Sequence, residues 1–118
     1  MTIPLVEQAV IFRKAAMFIK KGFTKAAFAR NAEGKTVDYT RPEACSFCTA
    51  GAILKAAYPQ DSLRLIAYAG DELKHAGRYR GNRAIALWND KPERTKEDVV
   101  TFLRACARKL QAKAKKAL

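Results

Sequence analysis

Apolar residues recur at three- and four-residue steps through the first stretch of the chain: Leu5, Ala9, Phe12, Ala16 and Ile19, widened by Val6, Val10 and Met17. That period predicts a helix from Pro4 to Lys21 with one face turned to a core. Pro4 suits the first turn, whose amides lack intrahelical partners anyway. Gly22 suits the position just past the end, where a left-handed backbone costs a residue without Cβ little.

The period then changes. Ala26 to Arg30 and Lys35 to Tyr39 flank the polar turn Asn31-Ala32-Glu33-Gly34, which predicts a short β-hairpin near residues 26–39 with a glycine able to take positive φ. A brief helix through Thr24 to Ala29 followed by an irregular loop is the competing reading. Pro42 and Glu43 open a second predicted helix that runs to about Tyr58 and is stopped by Pro59; from Ala44 to Leu54 it carries no charge, the mark of a helix buried on all sides. Gly51 inside it costs about 1 kcal/mol relative to alanine, which makes sense if another element approaches closely there.

Asp61 or Ser62 can cap a third helix through Ala69, with Gly70 breaking it and Asp71 to Ala76 adding a turn or two before Gly77. Ala84 to Trp88 reads as a short apolar helix. Thr95-Lys96-Glu97-Asp98 is a capping box with aspartate in the acidic place, and Val99, Phe102, Leu103, Cys106 and Leu110 follow at helical spacing. The fold class is therefore mainly α: one domain over residues 1–118, about five helices and the short hairpin. The expected core includes Phe47, Cys48, Gly51, Leu54, Trp88, Phe102 and Cys106.

Composition agrees with a packed domain: 118 residues, 49% hydrophobic and 9% aromatic, are enough for one core without disulfides or metal. Charge changes the picture more. Lys and Arg number 23 against 11 Asp and Glu, for a formal net charge of +12. Such an excess points to an anionic partner, though basic charge also serves solubility and says nothing of fold or chemistry. Three cysteines are an odd count, no secretory leader pattern opens the chain, and no apolar run approaches the roughly 20 residues of a membrane span, so a cytoplasmic protein is expected.

Read in order, several short stretches resemble an uncharacterised family of small domains found in bacteria, notably actinobacteria, and in their phages. They are Gly22-Phe23-Thr24, Ala29-Arg30-Asn31-Ala32-Glu33-Gly34-Lys35, Phe47-Cys48-Thr49-Ala50-Gly51-Ala52, Trp88-Asn89-Asp90 and Arg94-Thr95. Phe23 stands where that family tends to have tryptophan, and Gly70 to Asn82 matches nothing in it. The resemblance implies a phage or bacterial accessory protein with no agreed activity, and it marks the basic stretch before Asn82 as where a function peculiar to this chain would lie.

That stretch is the first candidate contact surface. In Arg78-Tyr79-Arg80-Gly81-Asn82-Arg83, preceded by Lys74 and His75, guanidinium groups can fork onto phosphates, Tyr79 can stack on a base and Gly81 lets backbone approach closely. The plainer reading is a solvated loop whose arginines pair with Asp71, Glu72 or Asp90. After Asp98 the chain has no acid, while Arg104, Arg108, Lys109, Lys113, Lys115 and Lys116 follow, a stripe suited to a phosphate backbone and equally to the negative end of a helix dipole.

Cys45-x-x-Cys48 with His75 and Cys106 names four zinc-type ligands, but one short motif plus two singletons also describes cysteines in a core. Cys48, His75 and Asn89 or Asp90 satisfy the residue list of a thiol hydrolase without any evidence of geometry. Trp88-Asn89-Asp90 before Pro92 reads first as a core tryptophan and a side-chain-stabilised turn, with a recognition role as the alternative. The sequence reading is thus a non-enzymatic basic binding protein with no catalytic residue, metal or cofactor. Nucleic acid is the leading partner, contacted by Arg78, Tyr79, Arg80, Arg83, Arg104, Arg108, Lys109 and Lys113. The rivals are an accessory or inhibitor bound to an acidic protein surface, and the metal or thiol site.

Overall fold

The structure is a computed structural model and describes residues 3–73 and 79–118. Helix α1 spans Leu5–Lys21, strands β1 and β2 are Ala29–Arg30 and Ser46–Phe47, and α2 to α5 are Thr49–Ala57, Leu63–Glu72, Gly81–Asn89 and Lys96–Lys116. The domain is mainly helical, as its periodicity predicts. Helices α1 and α5 form the largest interface, α2 packs across α1, and α3 pairs with α4. Phe12, Ile19, Ile53, Ile85, Leu103 and Leu110 fill the centre with almost no exposure.

The two long helices form where local signals agree. On α5 the Thr95 hydroxyl accepts from the Asp98 amide at 3.1 Å while the Asp98 carboxylate accepts from the Thr95 amide at 3.0 Å, so the predicted capping box is reciprocal. On α1 Ala9, Phe12, Ala16 and Ile19 are buried as the pattern predicts, but Ile11 and Ala15 join them. Val6 and Met17, expected to widen that stripe, are exposed on the other side because α2 and α5 pack on one face only. Gly22 ends α1 with φ −172°, extended rather than left-handed; a Cβ there would instead strike the Cys45 carbonyl.

The hairpin appears in altered form. Gly34 takes φ 80°, Asn31 donates its amide to the Lys35 carbonyl, and Arg30 bridges Thr36, so the turn is where the sequence puts it. The paired strand, however, is β2: Ala29 faces Phe47 and Arg30 faces Ser46, antiparallel.

The second helix begins seven residues later than Pro42 and Glu43 suggest. The Cys45 amide bonds the Arg30 carbonyl and the Phe47 amide bonds the Gly22 carbonyl, so this apolar run is sheet edge before it is helix. Gly70 does not break α3, which continues to Glu72 because Gly70 is the surface against which the Gly81 carbonyl packs. Of the expected core, Phe47, Gly51 and Cys106 are buried, whereas Cys48, Leu54, Trp88 and Phe102 are half-buried at its margin. Trp88 and Phe102 lie with centroids 4.9 Å apart, and Arg94 covers the indole at 4.2 Å, which is why neither ring needs full burial.

Candidate functional site

The basic residues singled out by sequence separate into distinct neighbourhoods. Arg78, Lys74 and His75 lie outside the described residues. Arg80 is the residue before α4, and the Arg83 guanidinium lies over the Tyr79 ring at 4.5 Å. Of the acids expected to pair with this loop, Asp71 holds its backbone, the carboxylate accepting from the Gly81 amide at 3.1 Å, while Glu72 pairs with Lys109 across to α5 and Asp90 accepts from the Ala26 amide at 3.0 Å.

The α5 stripe divides in two. Lys109 holds Glu72, and Lys113 lies over the Tyr68 ring at 5.5 Å, so both are joined to α3. Arg104 and Arg108 are exposed on the opposite shoulder. There a shallow groove of about 440 Å³ runs between the end of α1 and the start of α5, lined by Lys20, Lys96, Arg104, Glu97, Val100 and Thr101. The Lys96 ammonium donates to the Lys20 carbonyl at 3.1 Å, fixing the two helix ends together. Sequence reasoning missed Lys20 and Lys96; the signal available was their position on long helices, but nothing local says that those helices lie antiparallel.

A second concavity, also about 440 Å³, is organised by Asn89 and Asp90. Asn89 is buried, and its carbonyl oxygen accepts from the Thr49 amide at 2.8 Å and the Thr49 hydroxyl at 2.6 Å. It thereby supplies, from α4, an acceptor for the first amide of α2, which has none within its own helix. Its NH₂ donates to the Thr24 carbonyl and to Asp90 Oδ1. The expected turn of Asn89 and Asp90 into the last helix is therefore a long-range clamp on the 24–26 segment. Lys25 closes the same clamp by donating to the Lys91 carbonyl at 2.5 Å. The stretches that carry the family resemblance meet here: Thr24, Thr49, Trp88-Asn89-Asp90 and Arg94, which donates to the Trp88 carbonyl at 2.9 Å.

Cys48 caps α2, its sulfur accepting from the Gly51 amide at 3.2 Å. Burial pushes this thiol upward and the Asp90 charge adds to the effect, which disfavours the thiolate a nucleophile needs. Cys106 sits in the core on α5, pushed up to about 12 by burial, with Glu72 contributing. Cys45 is exposed. No cluster of three or more metal-type ligands occurs among the described residues, and no helix among them is long and apolar enough to cross a membrane.

Over residues 4–109 the sequence matches a family of unknown function, DUF6197. No curated protein and no solved structure matches the chain.

Proposed function

The chain belongs to DUF6197, a family of unknown function, and on that footing we propose that it is a non-enzymatic accessory protein that binds nucleic acid through its basic faces. The observation that carries the reading is the groove at the α1–α5 seam, where Lys20, Lys96 and Arg104 line one hollow with Glu97 as the sole acid among its lining residues. Three cations around one carboxylate leave a positive potential that a run of phosphates matches. Arg13, seven residues before Lys20, shares its edge of α1, and Arg108 stands one turn beyond Arg104, so helical geometry extends the field along the seam. The Tyr79, Arg80 and Arg83 corner supplies an aromatic beside guanidinium groups, a combination suited to single strands. The resemblance to bacterial and phage domains, together with an exposed thiol at Cys45, supports work in the cytoplasm of a bacterial or phage-infected cell.

The test is titration of labelled duplex DNA and single-stranded RNA at several salt concentrations. Affinity falls with salt by about 0.9 in log K per phosphate neutralised on duplex DNA and about 0.7 on single strands. Arg104→Ala flattens the slope by about one unit for all sequences. Lys109→Ala flattens it less, because that ammonium is already held by Glu72. Absence of measurable binding to either nucleic acid at micromolar protein and near-physiological salt refutes the proposal.

An acidic protein surface is the second reading, and one observation favours it. Val6 and Met17, eleven residues apart on the outer face of α1, are 52% and 60% exposed beside Arg13 and Lys14. An apolar strip edged by cations suits a negatively charged amphipathic partner. Saturable binding to one protein, with nucleic acid held only weakly and indiscriminately, supports this reading.

A further inference from the structure

The cleft beside Asn89 lies on a different part of the molecule from the α1–α5 groove, and its chemistry is of the opposite sign. It is bounded by Ala26, Ala27 and Phe28, by the start of α2 and by the last turn of α4. Its walls are chiefly hydrocarbon, and Phe28 is left 55% exposed there. A large ring stranded at an apolar hollow invites an apolar occupant.

The polar groups decide what that occupant must carry. A helix start ordinarily offers amides to an anion, but those of α2 are taken. Thr49 donates its amide to Asn89 and Gly51 to the Cys48 sulfur, which the Ala50 amide also approaches. Asn89 is saturated too, its oxygen accepting twice and its NH₂ donating twice. Besides the Thr36 hydroxyl, which accepts from Arg30, what remains is an acceptor. Asp90 Oδ1 takes the Ala26 and Asn89 hydrogen bonds, while its other oxygen takes none from the described residues. Asp90 is also the sole charged residue among those lining the cleft, at the end of α4 where the helix dipole favours a cation. Ala26 holds φ 62°, a backbone that alanine rarely adopts, and Asp90 pins it there. Strain of this kind persists where surrounding structure enforces it and gathers at ligand sites.

We propose that this cleft binds a small apolar molecule bearing an ammonium group, its hydrocarbon part against Phe28 and Ala86 and its charge on the second oxygen of Asp90. The protein's net charge of +12 repels a cation at long range. At contact, a charge-assisted hydrogen bond to the exposed Asp90 at the rim of the apolar cleft outweighs that screened repulsion.

The experiment is an amide NMR titration of the intact chain with phenethylamine, its neutral counterpart phenethyl alcohol and its anionic counterpart hydrocinnamate. Saturable shifts confined to Ala26, Ala27, Phe28, Ala50 and Asp90 are expected with the amine. Binding about tenfold weaker is expected with the alcohol, and none with the acid. Asp90→Asn removes the preference for amine over alcohol. Because that change also touches the Ala26 amide, Ala86→Met provides an independent check: it fills the cleft from a helical position and abolishes the shifts while leaving the rest of the spectrum in place. Absence of saturable shifts at millimolar amine, equal binding of alcohol or acid, a preference unchanged in Asp90→Asn, or shifts unchanged in Ala86→Met would each overturn the proposal.

Discussion

Replacing Asn89 by alanine removes a side chain that reaches from α4 to the first turn of α2 with hydrogen bonds to both the amide and the hydroxyl of Thr49, at 2.8 and 2.6 Å. Thr49 and Asn89 are both essentially inaccessible to water, so solvent cannot replace the lost acceptor. A buried donor left without a partner costs about 1 to 3 kcal/mol. The amide cannot turn elsewhere, the hydroxyl can rotate, and the smaller side chain leaves a void, so the total comes to about 3 kcal/mol. Against a domain stability of about 5 to 15 kcal/mol that is a large fraction. In urea, with a slope of about 1.5 kcal/mol/M, the midpoint falls by about 2 M. Thr49→Val is the control: it removes the hydroxyl and keeps the amide bond to Asn89, for a loss of about 1 kcal/mol. The double variant is then less destabilised than the sum, with a coupling of about 1 kcal/mol. A midpoint within about 0.5 M of the parent for Asn89→Ala, or strict additivity, would refute the clamp.

Gly51→Ala is expected to destabilise rather than to show the usual gain of alanine in a helix, because the new Cβ runs into the Phe28 carbonyl, which is backbone and cannot swing away; thermal denaturation with a raised melting point would contradict this. With a disulfide reagent under native conditions, Cys45 reacts first, Cys48 slowly and Cys106 only on unfolding, following exposure and the raised thiols of the latter two. Stability falls as pH rises from about 9 to about 12, because the native state keeps the Cys106 and Tyr68 protons, both groups being pushed up to about 12, while the unfolded chain releases them near their ordinary values. Cys106→Ala lessens that decline, and an identical alkaline profile would argue against the thiol's part in it.

What the sequence discloses about this fold is what is local. The capping box at Thr95 and the apolar stripes of α1 and α5 involve residues within a turn or two of each other, so periodicity and end signals suffice. The start of α2 is different. A charge-free run from Ala44 to Leu54 looks alike as strand edge or buried helix, and what decides is pairing with the Gly22 carbonyl and with Arg30, both distant in the chain. The Asn89 clamp was hidden for the same reason, since its partner Thr49 is forty residues away and the Asp90 partner Ala26 sixty-four. Trp88-Asn89-Asp90 does look like a turn, and only the tertiary contact shows that its side chains serve another loop.

The basic surface shows how residues grouped along one helix can separate in space. Arg104, Arg108, Lys109 and Lys113 follow one another at plausible steps, yet at about 100° per residue Lys109 lies about 140° around the helix from Arg104. One ligand cannot readily engage both sides of α5 while α1 and α3 pack against it. The contacts on each side then give the two pairs different work. Lys109 and Lys113 spend their charge on Glu72 and the Tyr68 ring, tying α3 to α5, so truncating them should act mainly on stability. Arg104 and Lys96 of α5 share one hollow with Lys20 of α1, where like charges gather without a matching number of acids. Such crowding is unfavourable in the free protein and is relieved when an anion lies in the groove, so occupancy there gains both from new contacts and from repulsion removed. That double dependence on charge is why the seam, rather than the longer stripe drawn from sequence, should dominate the salt dependence of binding.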